Sequence, residues 1–314
     1  MKAAFIKQYG GIETLQLGQL PKPQPERNQV LIRVAASAVN PVDFHLRNGM
    51  MADTGTHTLP LVLGWDCSGV VEQVGEGVDS LQVGDKVLSF TPISEQGTNA
   101  EFVAVDAGLV VEKPAELSFV EAAALPLAAV TAWQGLHRHG RLAQGKTVLI
   151  HNASGAVGSY AVQIAKAAGA YVVATASATK LDYVTNLGAD EVFNERDLEW
   201  QSSNQYDVAY VAKPGIELLA ESACCVKSGG SIVSTFDEIA EQQVATHGIS
   251  FTRMWVENSA ADLEQLVKLV KEKAIKIPID SVYPLEEIQT AHLRSEQHKA
   301  VGKIVLVVDP LLKY

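Results

Sequence analysis

The segment LIHNASGAVGS, residues 149–159, carries an apolar strand end into a run of small residues, with Gly155 and Gly158 where a helical pattern begins. A dinucleotide cradle of the G-x-G-x-x-G kind needs three things: a tight turn after a strand, close backbone approach to a pyrophosphate, and a helix whose free N–H groups face that anion. Gly155 and Gly158 take the places of the second and third glycines, and Ala153 stands in the place of the first, which it can fill if its φ is negative. Val157, Ala161, Ile164, Ala165 and Ala168 recur at helical spacing, and Gly169 follows as a C′ residue would. A glycine pattern alone also fits an ordinary strand-turn-helix connection. Here strand, small-residue turn, amphipathic helix and next strand come in the order a dinucleotide site requires, so Ser154, Gly155, Ala156, Val157 and Gly158 are the candidate phosphate contacts.

The flanks extend the pattern. TVLIH, a helix over 155–168, YVVATA, a helix over 179–187 ending at Gly188, and EVF alternate strand and helix. YDVAYVA, the helix-like IELLAESACCVKS with Gly229 after it, SIVSTF and GISFTRMWVE continue the alternation. Near-continuous apolar strands of this kind belong to a parallel sheet covered on both faces, an α/β doubly wound fold. The first hundred residues read differently: VLIRVAASAVN, CSGVVEQVG, DKVLSF and EFVAV are short β-prone runs separated by turn-rich PKPQPERN, GEGVDSLQVGD and EQGTNA, which predicts a compact β-rich domain.

The second strand of the α/β region bears on the cofactor. An NAD site usually carries a carboxylate there, about 20 residues past the glycines, for the ribose 2′-OH. Val173 to Ser177 include no acid, so a 2′-phosphate meets no like charge, and Ser177 and Lys180 are placed to bind it. Lys180 also sits near a helix start, where the macrodipole disfavours a cation unless an anion accompanies it. A solvated surface lysine is the plain alternative; NADPH is the expected cofactor.

Composition removes several classes of function. The 314 residues, 47% hydrophobic, suffice for two domains, and a formal charge of −11 with no cluster of Lys and Arg leaves no footprint for nucleic acid. The apolar stretch between Lys2 and Lys7 is too short for a signal-peptide core, and AAALPLAAV is half a membrane span interrupted by Pro126. A soluble cytoplasmic protein without a membrane partner is expected. The three cysteines, Cys67, Cys224 and Cys225, offer no disulfide framework.

Taken in order, AVNPVDFHLRNG, LGWDCSGVVEQVGEGVDSLQVGDKV, AEFVAV, EAAALPLAAVTAW, ASGAVGSYAVQIAKAAGA, LGADEVF and VGKIVLVV resemble the medium-chain dehydrogenase/reductase superfamily in its zinc-free quinone oxidoreductase branch. The resemblance implies a Rossmann domain, residues 123–267, inserted in a GroES-like β-rich substrate domain made of 1–122 and 268–314. Zinc-dependent relatives place a cysteine near Pro41 to Asp43 and a His-Glu pair where this chain has Trp65 and Asp66, and the four-cysteine lobe is missing too, so no metal site is expected.

Without zinc to polarise a simple carbonyl, the easier hydride acceptors are electron-poor: quinones or activated α,β-unsaturated carbonyls. The protein must then stabilise a developing enolate or hydroquinone oxygen with a donor. By resemblance, Asn40 and Asp43 lie beside the nicotinamide ribose and the substrate. Met51 occupies a position where related reductases often carry tyrosine, and His45 is the replacement proton donor, a structural histidine being the alternative. Trp65 either walls the acceptor pocket or belongs to the core. Thr131 matches a position that binds the cofactor near the nicotinamide, and Thr235 one near its carboxamide; for Thr131 a structural helical role is the alternative. Where relatives have a D-x-V-G turn this chain reads YVAKPG, which leaves the contacts around Lys213 open. GISFTRMWV, matching a strand that pairs across a two-fold axis in relatives, implies a homodimer. Competing functions are reduction of enoyl thioesters, disfavoured by the missing cationic entrance, and a low-turnover NADPH-binding protein.

Overall fold

In the computed structural model, residues 1–202 and 206–312 are described; Lys313 and Tyr314, the end of the expected 268–314 segment, lie outside the described residues. The chain forms two compact units. Met1 to Leu127, Asn258 to Val267 and the chain from Ile277 onward make the first, and Ala128 to Glu257 with Lys268 to Lys276 the second.

The first unit is built from β1 (Lys2–Ile6), β2 (Leu15–Gln19), β3 (Gln29–Val39), β4 (Leu61–Val62), β5 (Asp66–Val74), β6 (Lys86–Phe90), β7 (Phe102–Asp106) and β8 (Val110–Glu112). Helix α1 (Pro41–Arg47) follows β3, and α2 (Phe119–Ala124) and α3 (Pro126–Trp133) follow β8. The chain then makes the second unit's strands, β9 (Thr147–His151), β10 (Tyr171–Ala176), β11 (Glu191–Asn194), β12 (Tyr206–Val211), β13 (Val226–Ser234) and β14 (Ser250–Arg253). Their helices are α4 (Ala156–Ala167), α5 (Leu181–Asn186), α6 (Glu199–Ser202), α7 (Ile216–Cys225) and α8 (Glu241–His247). After α9 (Ala260–Lys271), β15 (Ile279–Pro284), α10 (Ile288–Glu296) and β16 (Lys303–Val307) rejoin the first unit.

The second unit's sheet runs β11-β10-β9-β12-β13-β14, parallel throughout. This is the doubly wound order, and it reverses at β9 and β12, where ligands bind outside the carboxyl ends of the strands. The first unit's main sheet runs β15-β16-β3-β5-β6-β8, with β7 also on β3, and is antiparallel apart from the β15–β16 pair. This is the β-rich domain that the early turn-rich strands predict, with the GroES-like character that the resemblance implies.

Two boundaries differ from the sequence reading. The expected change of domain after residue 122 falls after Leu127, because α2 packs Phe119, Ala123 and Ala124 on Ala35, Ala36, Ala38 and Val305 and so stays with the first unit. At the other end, Asn258 to Val267 already belong to the first unit, and 268–276 return to the second. The helix expected over IELLAESACCVKS stops at Cys225: Val226 begins β13 opposite Tyr206, and the register shifts before Val208 meets Ser231, with Gly229 at φ 81° inside the strand. The irregular pairing consumes the residues that a longer helix would have used.

Candidate active site

In the first unit, the end of β3, the start of α1, β5 and β16 bring four polar side chains out of water. Asn40, the N-cap of α1, is buried, and so are Asp43, Asp66 and Lys303. The Lys303 ammonium, at 0% exposure, donates to Asp66 Oδ2 (2.9 Å) and Asn40 Oδ1 (2.6 Å). Asn40 Nδ2 donates to the same Asp66 oxygen (2.8 Å), and the backbone N–H of Leu127, in the first turn of α3, donates to Asp66 Oδ1 (2.6 Å). A buried carboxylate of this kind survives only when its lone pairs are met by donors and its charge by a cation; Asp66 has two neutral donors, Asn40 and Leu127, and the cation Lys303.

Asp43 shares the cluster on different terms. Its Oδ2 accepts from the backbone N–H of Asn40 (2.9 Å), while Oδ1 has no hydrogen-bond partner among the described residues. Burial pushes its pKa up to about 8, against the opposing pull of the Asn40 N–H and Lys303. The protonated acid therefore predominates at neutral pH, which leaves Lys303 and Asp66 as the cluster's opposed charges. Cys67, next to Asp66, is fully buried and its thiol is pushed up to about 12, chiefly by burial, so it is no nucleophile.

The other residues expected in this half are distributed differently. His45 lies two positions beyond Asp43 on α1, on another face of the helix. Its ring lies tilted against that of Phe44, centroids 4.4 Å apart, and it feels the charges of His298 and Glu296 near the end of α10. Burial, with help from His298, holds its pKa below the usual histidine range, so the ring is neutral at pH 7. Arg47, buried one turn after Asp43, is tied to Glu296 and to His292 Nδ1 (3.3 Å). Trp65 is completely buried with its indole N–H unpartnered among the described residues, and Met51 caps a short turn in a partly exposed loop. The structure thus joins Asn40 and Asp43 to each other; Trp65 lies in the core, Met51 in the partly exposed loop, and His45 among Phe44, His298 and Glu296.

In the second unit, the turn after β9 has the shape of a phosphate cradle. The left-handed residue is Asn152 (φ 56°), not Ala153, so the missing first glycine costs nothing: asparagine is among the few residues that tolerate this conformation. Asn152 Nδ2 donates to the carbonyl of Ala212 beyond β12 (3.0 Å), which pins the turn. Gly155 caps α4 with extended backbone and no side-chain cap, leaving the N–H groups of the first turn to face an anion. A Cβ on Gly158 would lie 2.2 Å from the Asn152 carbonyl, so only glycine lets α4 approach the turn this closely. These features fit a pyrophosphate. Ser154 is buried in the turn, Ala156 and Val157 open α4, and Ser177 and Lys180 follow β10, both partly exposed. Thr235, after β13, is tied through its N–H to the Val211 carbonyl (3.2 Å), and the Tyr210 hydroxyl donates to the Thr131 carbonyl (3.2 Å).

Zinc fits poorly. Among the described residues no group of three or more His, Cys, Asp or Glu side chains is placed to hold a metal ion; of the two residues that stand where the resemblance puts a His-Glu pair, Trp65 offers no metal donor and Asp66 is already engaged by Lys303, Asn40 and Leu127. Sequence reasoning missed Lys303, whose signal was a charged residue inside the apolar run VGKIVLVV; such a lysine is almost never fully buried without a partner. It also missed Glu195, which pairs with Lys213 (2.8 Å), and His151, buried between Thr175 and Ser222.

Known proteins share this architecture. Residues 26–115 match the alcohol dehydrogenase GroES-like domain and residues 187–306 the zinc-binding dehydrogenase family. A chloroplast envelope quinone oxidoreductase homolog from Arabidopsis thaliana is 34% identical over 95% of each chain. The NADPH-dependent alkenal/one oxidoreductase of the same plant's chloroplast is 33% identical over 99% of this chain and 80% of its own. The solved structure of the quinone oxidoreductase from Coxiella burnetii superimposes with a TM-score of 0.91 at 33% identity, covering 98% of this chain and 99% of that one. With a doubly wound cofactor sheet, a GroES-like domain and relatives that match over nearly the whole of this chain, the chain belongs to the medium-chain dehydrogenase/reductase superfamily, among the quinone oxidoreductase homologues.

Proposed function

We propose that the chain is an NADPH-dependent reductase of quinones or activated α,β-unsaturated carbonyls and that it works without zinc. The observation that carries this reading is the engagement of Asp66 by a buried lysine and two neutral donors, beside Trp65, in the segment where the resemblance puts the His-Glu pair of zinc-dependent relatives. A protein without a Lewis acid favours acceptors that are already electron-poor, and the alkenal/one and quinone chemistry in the relatives' names agrees with that preference. NADPH, when bound, supplies the hydride. The first turn of α4 holds the pyrophosphate, Ser177 and Lys180 take the 2′-phosphate, and Thr131 and Thr235 hold the nicotinamide end. Asn40 and Asp43 orient the ribose and acceptor, and His45 donates a hydrogen bond to the oxygen that gains charge, with Met51 near the acceptor; Trp65, completely buried, takes the core role instead of walling the pocket.

Oxidation of NADPH in the presence of a panel of quinones, enones and an enoyl-CoA tests the reading. Turnover with quinones or enones that survives exhaustive chelation is expected, with NADPH preferred over NADH. Preference for the enoyl-CoA, loss of activity with the metal, or no turnover of any acceptor would overturn it.

We also infer a homodimer formed along β14. This strand ends the six-stranded order and pairs only with β13 among the described residues, and an unpaired edge of this kind invites a second strand. Light scattering at micromolar concentration should give the mass of two chains; a monomer would refute the pairing.

A further inference from the structure

All strands of the second unit point their carboxyl ends to one edge, and an ion pair spans that edge. Lys213 lies two residues beyond β12 and Glu195 one residue beyond β11, and their charged groups meet at 2.8 Å. In the sheet order β11-β10-β9-β12, the strands β10 and β9 lie between them. With neighbouring strands about 4.8 Å apart, the two carriers stand about 14 Å from each other. The two side chains therefore reach toward each other across the ends of β10 and β9.

Those two strand ends carry the cradle turn, Asn152 to Gly158, and the candidate 2′-phosphate contacts Ser177 and Lys180. Two further contacts fix the lysine's end of the bridge. Ala212, its chain neighbour, accepts from Asn152 Nδ2 within the cradle turn, and the Lys213 charge is felt by His151, the last residue of β9, whose pKa it helps to depress. At the other end, the Glu195 backbone N–H donates to the carbonyl of Ala176, the last residue of β10 (2.8 Å). Glu195 through its own backbone, and Lys213 through its neighbour Ala212, are thus tied to the strand ends where the adenosine half of a dinucleotide would lie.

We propose that Lys213 selects NADPH: held by Glu195 before the cofactor binds, it transfers its ammonium to the 2′-phosphate when that group arrives. This rests on the dinucleotide reading above. The exchange is favoured by charge. Lys213 and Glu195 are each about one third exposed (34% and 31%), so their mutual attraction is weak in water, whereas a 2′-phosphate brings nearly two negative charges and three acceptor oxygens to the same ammonium. Glu195 acts in the opposite sense, both by competing for the lysine and by repelling the phosphate. NADH, with a neutral 2′-OH in that place, gains little from Lys213 and loses little from Glu195.

Affinities of NADPH, NADH, 2′,5′-ADP and 5′-AMP, measured by calorimetry on the wild type and on Lys213→Met, Lys213→Arg and Glu195→Gln, test the proposal. Loss of one charge-assisted contact to phosphate should weaken NADPH and 2′,5′-ADP about tenfold or more in Lys213→Met. NADH and 5′-AMP should change less than about threefold, Lys213→Arg should keep most of the selectivity, and Glu195→Gln should tighten NADPH without tightening NADH. If Lys213→Met weakens both cofactors equally or neither, or if Glu195→Gln weakens both, the pair is structural and the proposal fails. A wild-type chain that binds neither dinucleotide would instead overturn the cofactor reading itself.

Discussion

Replacing Lys303 by methionine is expected to cost the fold about 3 kcal/mol, at the low end of the 3–5 kcal/mol typical when one partner of a buried ion pair is removed. The size follows from what is left behind. Asp66 has no exposure to water and would keep the donors Asn40 Nδ2 and Leu127 N–H, so its lone pairs remain partly satisfied while its charge is uncompensated. The protonated Asp43 beside it supplies no positive charge. The cost is therefore chiefly electrostatic, and the variant Lys303→Met/Asp66→Asn, in which both charges are gone, should regain at least half of the loss. Urea denaturation followed by tryptophan fluorescence measures both changes as shifts of the midpoint at constant slope. A single variant within 1 kcal/mol of wild type, or a double variant less stable than the single one, would show that the cluster is not held together by charge.

The same cluster marks where sequence reading stops. Local pattern was enough for the start of the second unit: strand limits at Thr147–His151 and Tyr171–Ala176 and a helix over the residues after Gly155 follow from periodicity and punctuation, because each is decided by neighbours within a few positions. The cradle was readable for the same reason, although the left-handed φ moved to Asn152, since either residue at the turn's start satisfies the spacing. Lys303 with Asp66, 237 positions apart, and Lys213 with Glu195, across two intervening strands, are decided by strand order instead. No local signal names a partner at that distance. The domain change after Leu127 escaped for a related reason: α2 reads equally well as the end of one unit or the start of the next until its alanines are seen on β3 and β16.

For enone substrates, His45→Ala is expected to lower kcat and kcat/KM together by about 10²-fold, the usual cost of losing one donor to a developing oxyanion. Hydride delivery to the β-carbon of an enone leaves charge on the carbonyl oxygen, so a hydrogen bond to that oxygen is worth most in the transition state and little in the ground state. In the proposed role, the lowered pKa of His45 makes the donor a neutral ring. Above that pKa the ring is neutral and offers an N–H rather than a transferable imidazolium proton. The wild-type rate should accordingly stay level from about pH 7 upward through the range where an ordinary histidine, with a pKa near 6.5, has already lost its charge. An imidazolium acid would instead lose activity as pH rises through its pKa. Quinones should lose less than enones in the variant, because the reduced ring stabilises its own oxygens, and NADPH affinity should be unchanged. His45 lies on a face of α1 away from Asn40 and Asp43, so a variant with full enone activity has a direct structural meaning: the imidazole serves the Phe44, His298 and Glu296 surroundings, and the oxygen is met by Asn40, by the ribose hydroxyl or by water.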